Sequence, residues 1–308
     1  MANNSSSVVG QPFRTINEEV ILVQVLIAVF LFINIVLLTT FFMKEVFYTT
    51  MRYIFFATTL MSDCLILVLT DVMLLQVFFN FKIPMGLCCI LVILSILYTL
   101  VTPFTLTAMS LERYVAICMP LRHAELCSPR STLNCILIIH GLSSLPSIIT
   151  FAIVFASAPL SFYQQNAICT LNIFIFHRWQ NELLAVINEF YFINMCITVI
   201  YCYVQIMKVA KTASGEDKKS VWKGIKTVVL HAFQLLLCLI QLWCPFIENA
   251  VFKINKKVFV IIRYFNYIVF YLASRCLSPL VYGLRDESFY LALKHYALLG
   301  FRGKRCFH

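Results

Sequence analysis

Seven long apolar stretches, nearly free of formal charge, run through this chain and leave little choice about its surroundings. A helix needs about 20 consecutive apolar residues to cross the hydrocarbon of a bilayer. The first stretch is Val20–Met43, the second Tyr53–Phe81 with Asp63 and Asp71 inside, and the third Met85–Leu111. Ser131–His177 is uncharged but too long for one crossing, so it divides into a fourth span ending near Phe155 and a loop. Leu183–Met207, carrying Glu189, is the fifth, Thr227–Ile247 the sixth, and Val258–Leu284, with Arg263 and Arg275, the seventh. Of the 308 residues 61% are hydrophobic and 12% charged, with a mean hydropathy of +0.87. Soluble domains average about 45–50% apolar and about 25% charged residues, so this chain lacks the polar surface for water. The sequence therefore predicts an all-α integral membrane protein, a seven-transmembrane helix bundle.

The net charge of +10 acquires its meaning from position. With the N-terminus outside, the inner loops and tail hold 16 of the 24 Lys and Arg residues and the outer segments hold 7, with Arg275 inside the membrane. Basic residues concentrate on the cytoplasmic side of membrane proteins, which predicts a plasma-membrane protein with an outer N-terminus and excludes a nucleic-acid footprint. Residues 1–19 contain no apolar core before a small-residue cleavage site, so the first span is expected to serve as the insertion signal. Asn3 and Asn4 open two overlapping N-x-Ser sequons, possible glycosylation acceptors in an outer tail. No internal repeat of interrupted hydrophobic segments, such as many transporters carry, is evident. The Cys and His residues lack metal-ligand or nucleophile spacing, which points away from an enzyme and requires no cofactor.

At the end of the third span the chain reads Met109-Ser110-Leu111-Glu112-Arg113-Tyr114-Val115-Ala116-Ile117-Cys118-Met119-Pro120-Leu121-Arg122. This resembles the signature of vertebrate odorant receptors, a branch of the rhodopsin-like G-protein-coupled receptors. Asn34 in the first span, Asp63 in the second and Ser278-Pro279-Leu280-Val281-Tyr282 in the seventh fit the same pattern. Lys226–Gln234 resembles the fish-type members. The chain departs from mammalian odorant receptors in having only Cys169 in its second outer loop and no Trp in the fourth span, where His140-Gly141 falls. Trp243-Cys244-Pro245 fits rhodopsin-like receptors generally rather than the odorant branch.

The resemblance implies roles for particular residues. Glu112, Arg113 and Tyr114 would form the switch toward a heterotrimeric G protein of the stimulatory olfactory type, with Tyr203, Pro279 and Tyr282 completing it. Arg113 would pair with Glu112 at rest and swing toward Tyr203 or the G protein on activation; read from the residues alone, it is also a positive-inside anchor. The family aspartate, here Asp63, holds sodium with positions that correspond to Thr102, Ser274, Arg275 and Ser278. An arginine among them suggests that a fixed Asp63–Arg275 ion pair replaces the sodium, while pairing of Arg275 with Asp71 or a wet cavity is the competing possibility. Cys88, placed 25 residues before Arg113, matches the family cysteine that bonds to the second outer loop, so Cys88–Cys169 is the implied disulfide, with Cys89 as competitor.

A small, water-soluble odorant would sit among Ser95, Thr99, Asn188, Tyr191, Trp243, Phe246, Ile247, Ile268 and Tyr271. Amine receptors place an aspartate where this chain has Ser95, which argues against an amine bound in the usual way, although Glu189 could attract a cation. Residues 286–299 read as a short amphipathic C-terminal helix on membrane lipid, and Cys306 is either a palmitoylation site or a free thiol. The basic loop Lys211–Lys223 would face lipid or the G protein. The expected divisions are an outer tail (1–19), the receptor bundle (20–284) and a cytoplasmic helix and tail (285–308). A peptide or lipid receptor outside olfaction, and less readily a channel or transporter, are the alternatives.

Overall fold

The computed structural model describes residues 18–43, 45–213 and 215–277, together with Leu291 and Lys294. Seven helices are long and apolar enough to cross a membrane. In chain order the α-helices are α1 (Glu18–Phe42), α2 (Val46–Thr49), α3 (Met51–Phe79), α4 (Met85–Cys118), α5 (Pro120–Leu126), α6 (Pro129–Ser157), α7 (Leu160–Tyr163), α8 (Arg178–Thr212), α9 (Gly215–Ile254) and α10 (Lys256–Asn266). A π-helical segment, Tyr267–Leu272, continues α10 as the seventh span. The crossings are α1, α3, α4, α6, α8, α9 and α10 with its extension.

In lipid no water is available to an unpaired backbone or hydroxyl group, so polar side chains must close onto the helix that carries them. Apart from Thr102, the Ser and Thr hydroxyls of α4 do this: Thr105 donates to the Val101 carbonyl at 2.7 Å, Thr107 to that of Pro103 at 2.9 Å and Ser110 to that of Leu106 at 3.0 Å. Small hydroxylated residues also let helices approach closely. α4 is accordingly the central helix, packed against α3, α6, α8 and α9. Large apolar residues such as Val25, Phe32, Ile197, Ile200 and Phe233 are exposed on the outer faces, where lipid replaces water as the neighbour.

One end of the bundle is covalently closed. Cys88, at the start of α4, is bonded to Cys169 with a Cα–Cα distance of 5.4 Å. Beside it two short strands, β1 (Ile83–Pro84) and β2 (Asn166–Ala167), pair antiparallel. Asn80 ends α3 in the left-handed conformation (φ 55°), donating its N–H to Gln76 and Val77, a role that Asn tolerates well. α1 begins at this same end, because α1 and α3 are joined at the opposite end through α2.

The lengths correct the sequence reading at two spans. α9 starts at Gly215, twelve residues before the apolar run, and α8 spans 35 residues. At 1.5 Å per residue the 40-residue α9 is about 60 Å long, twice the hydrocarbon thickness. An apolar run marks where lipid stops, and a helix can continue beyond it. The predicted C-terminal helix lies outside the described residues apart from Leu291 and Lys294, as do Asn3, Asn4, Ser278, Pro279, Tyr282 and Cys306.

Candidate functional site: a polar column between the second and seventh spans

Asp63 and Arg275 are both fully buried, and Arg275 Nη1 donates to Asp63 Oδ1 at 2.9 Å. Thr102 on α4 donates to the same oxygen at 2.9 Å, so three spans meet at one carboxylate. A dry charge is tolerable only when paired and hydrogen-bonded, and here the pair is supplied by the chain itself. Arg275 also lies 5.8 Å from the Tyr271 ring, while its Nε and Nη2 are buried without a hydrogen-bond partner. Gln234 on α9 donates to the Ser274 carbonyl at 2.9 Å and ties the sixth span to the same level.

Arg275 does not pair with Asp71. That second carboxylate, two turns along α3, accepts from the Gln24 amide on α1. Tyr267 and Tyr271 stack at 5.2 Å with rings 11° from parallel. The Tyr271 hydroxyl donates to the Ile66 carbonyl at 3.4 Å. Together Tyr267, Tyr271 and Arg275 form a column along the seventh span, facing the two acids of α3.

At the opposite end of α4, Glu112 is 7% exposed and stands between two bases, Arg113 Nε at 3.6 Å and His123 Nε2 at 3.7 Å. His123 comes from α5, beyond Pro120, and no periodicity in the sequence links it to Glu112. The Tyr114 ring meets Tyr201, not Tyr203, edge-on at 5.6 Å, although both tyrosines are exposed. Positions two residues apart are about 200° apart on a helix, so Tyr201 and Tyr203 cannot share a face of α8. Tyr201 was not among the expected switch residues. Gly224 on α9 lies against α4 here, and a Cβ at that position would stand 2.3 Å from Ile117 Cδ1.

The expected pocket residues separate into groups. Ser95 donates to the Leu91 carbonyl at 2.7 Å and Thr99 to that of Ser95 at 2.7 Å. Tyr191 packs on Phe104 at 5.1 Å and donates to the Leu142 carbonyl at 3.1 Å, and Asn188 Oδ1 is buried without a hydrogen-bond partner. Trp243 and Ile247 are about half exposed, 48% and 45%, and the Phe246 side chain lies outside the described residues. Ile268 and Tyr271 instead pack with Val23, Ile27, Leu67 and Leu272, against the first and second spans. The π-helical segment explains the change. Its extra residue per turn shifts any register counted back from Pro279 by about 100°.

Residues 33–282 match the family described as 7 transmembrane receptor (rhodopsin family). The chain belongs to the rhodopsin family of seven-transmembrane receptors. This receptor is similar to odorant receptor 131-2 of Danio rerio, at 39% identity over 302 residues, 97% of this chain and 93% of that protein. It is also similar to galanin receptor 2a of Danio rerio, at 27% identity over 65% of this chain and 55% of that protein. Galanin receptor type 2 of Rattus norvegicus is 26% identical over 60% of this chain and 50% of that protein. It is thus a multi-pass membrane receptor and not an enzyme, and among the described residues no group of His, Cys, Asp or Glu is suited to a metal ion.

Proposed function

We propose that this receptor detects a small, water-soluble odorant and activates a heterotrimeric G protein of the stimulatory olfactory type. The observation that carries this reading is the likeness to odorant receptor 131-2, which runs at 39% identity through almost the whole of both chains. The likeness to the galanin receptors is lower and covers about half of them.

The N-terminus is read as outside. Disulfides persist in oxidising surroundings, and the Cys88–Cys169 end is also the end at which α1 begins. The Glu112–Arg113 end then faces the cytoplasm, in agreement with the basic loops. A bound ligand favours whichever conformation it holds more tightly. In this receptor the favoured state has α9 moved away from α4, which frees Arg113 from Glu112 and opens an inner cleft for nucleotide exchange. Gly224, packed close to Ile117, marks the contact that this movement breaks.

The test is a cyclic-AMP assay in cells expressing the full chain, challenged with a panel of water-soluble odorants. A dose-dependent rise that disappears in Arg113→Ala, at equal surface expression, is expected. Activation by peptides alone would replace the odorant reading with that of a peptide receptor.

A further inference from the structure

α3 carries two intramembrane carboxylates, and the structure treats them differently. Asp63 is fully buried and neutralised by Arg275 at 2.9 Å. Asp71 lies eight residues, about 12 Å, nearer the disulfide end and is only partly buried. Among the described residues it receives one hydrogen bond, from the neutral Gln24 amide, and no Lys, Arg or His lies within ion-pair distance. An ionisable group at membrane depth is costly unless it meets a partner. The seventh span runs antiparallel to α3, so Tyr267 stands opposite Asp71 as Arg275 stands opposite Asp63, two turns farther in.

The surroundings of Asp71 suit a cation. Tyr267 and Tyr271 are stacked, and the inner end of the stack already has a guanidinium 5.8 Å from the Tyr271 ring, which leaves the outer end, at Tyr267, for a second cation. At the outer end the buried Tyr267 hydroxyl lies beside Thr70 and Asp71. A carboxylate beside electron-rich ring faces is the combination that recognises ammonium groups. The π-helical segment Tyr267–Leu272 widens the seventh helix at this level, and such segments recur at functional sites.

We propose that Asp71 is the counter-ion for a small organic cation of the alkylammonium class, bound among Gln24, Asp71, Tyr267 and Tyr271 between the first, second and seventh spans. This rests on the receptor reading above and narrows its ligand class: the acid missing at Ser95 is supplied from α3. The bound cation would lie two turns from the Asp63–Arg275 pair, joined to it by the Tyr267–Tyr271 stack.

Thermal melting of the purified full-length receptor tests binding separately from signalling. The probes are butyl-, hexyl- and octylammonium, each against the alcohol and the carboxylate of the same chain length. Ammonium ions should raise the melting temperature in a saturable way, and the alcohols and carboxylates should not. Asp71→Asn should weaken ammonium binding about ten- to hundredfold, the range for a lost charge-assisted bond. Tyr267→Leu should weaken it by about two- to tenfold. If Asp71→Asn does not fold, Asp71→Glu should retain binding, and Tyr267→Leu carries the loss. Alcohols that stabilise as well as amines, wild-type binding in Asp71→Asn, or no response to any ammonium ion would each overturn the proposal. Ammonium binding without G-protein activation would overturn the signalling reading instead, and odorant signalling without ammonium binding would overturn this one.

Discussion

Removing one member of the Asp63–Arg275 pair should be far more damaging than removing both. The charges are 2.9 Å apart with no exposed surface. With an effective dielectric of about 20, a Coulomb attraction at that distance is about 6 kcal/mol. Desolvating two ions takes back several kcal/mol each, so the pair contributes little net stability. Arg275→Met leaves a buried carboxylate with the Thr102 hydroxyl still beside it but no counter-charge, and Asp63→Leu leaves a buried guanidinium. Either single change should cost about 3–5 kcal/mol, a shift of more than about a hundredfold in the folded population. The double variant Asp63→Leu/Arg275→Met removes both desolvation costs and should lie within about 1 kcal/mol of wild type. The charge-swapped double, Asp63→Arg/Arg275→Asp, should recover part of the loss, limited by the new geometry. Heat denaturation of solubilised receptor, together with the surface-displayed fraction on intact cells, measures all of these. Single variants as stable as wild type, or a neutral double as unstable as the two singles combined, would refute the reasoning.

Because Asp63 is already neutralised by Arg275, exchanging NaCl for KCl at constant ionic strength should leave melting and agonist potency unchanged; a sodium-specific shift in either would argue against the pair. The Cys88–Cys169 bond spans a sequence separation of 81 residues, for which loop entropy gives about 4–5 kcal/mol. Cys88→Ser and Cys169→Ser should therefore each sharply reduce surface display, while Cys89→Ser should not. Glu112→Gln removes the negative charge facing both Arg113 and His123 and should raise ligand-free nucleotide exchange in membranes, with unchanged exchange counting against a resting-state role. Gly224→Val should wedge α9 from α4 at Ile117 and raise ligand-free exchange, and Ile117→Ala should restore it.

How much was legible in the chain depended on what each signal encodes. Apolar length reports the hydrocarbon thickness, so all seven crossings could be found, but it carries no information on α9 between Gly215 and Thr227, where the helix leaves lipid. The Asp63–Arg275 relation was readable because both charges are conspicuous in apolar runs and one family register places them on facing helices. The partner of Asp71 was not, since Gln24 is neutral and unremarkable within the first span. His123 was hidden by the chain reversal at Pro120, which breaks any helical count from Glu112. Tyr201 was missed because a register borrowed from relatives selected Tyr203, two positions on and on another face of α8.

The seventh span illustrates why a borrowed register fails locally without failing globally. Arg275 lies on the C-terminal side of the π-helical segment, so a count back along the sequence reaches it before the widened turn. Ile268 and Tyr271 lie within it, and the same count passes through the widened turn before reaching them. Their faces therefore rotate from the centre of the bundle toward α1 and α3, where they pack against Val23, Ile27 and Leu67. The rotation that removes them from the expected pocket also brings Tyr267 and Tyr271 to the side of α3 that carries Asp71. Asp71, which the sequence left as a rival to Asp63 for Arg275, thus has different neighbours, an amide and the end of the tyrosine stack, and with them a different task. The inner acid is closed by an arginine of the same chain, and the outer acid keeps a carboxylate free for a cation from outside it.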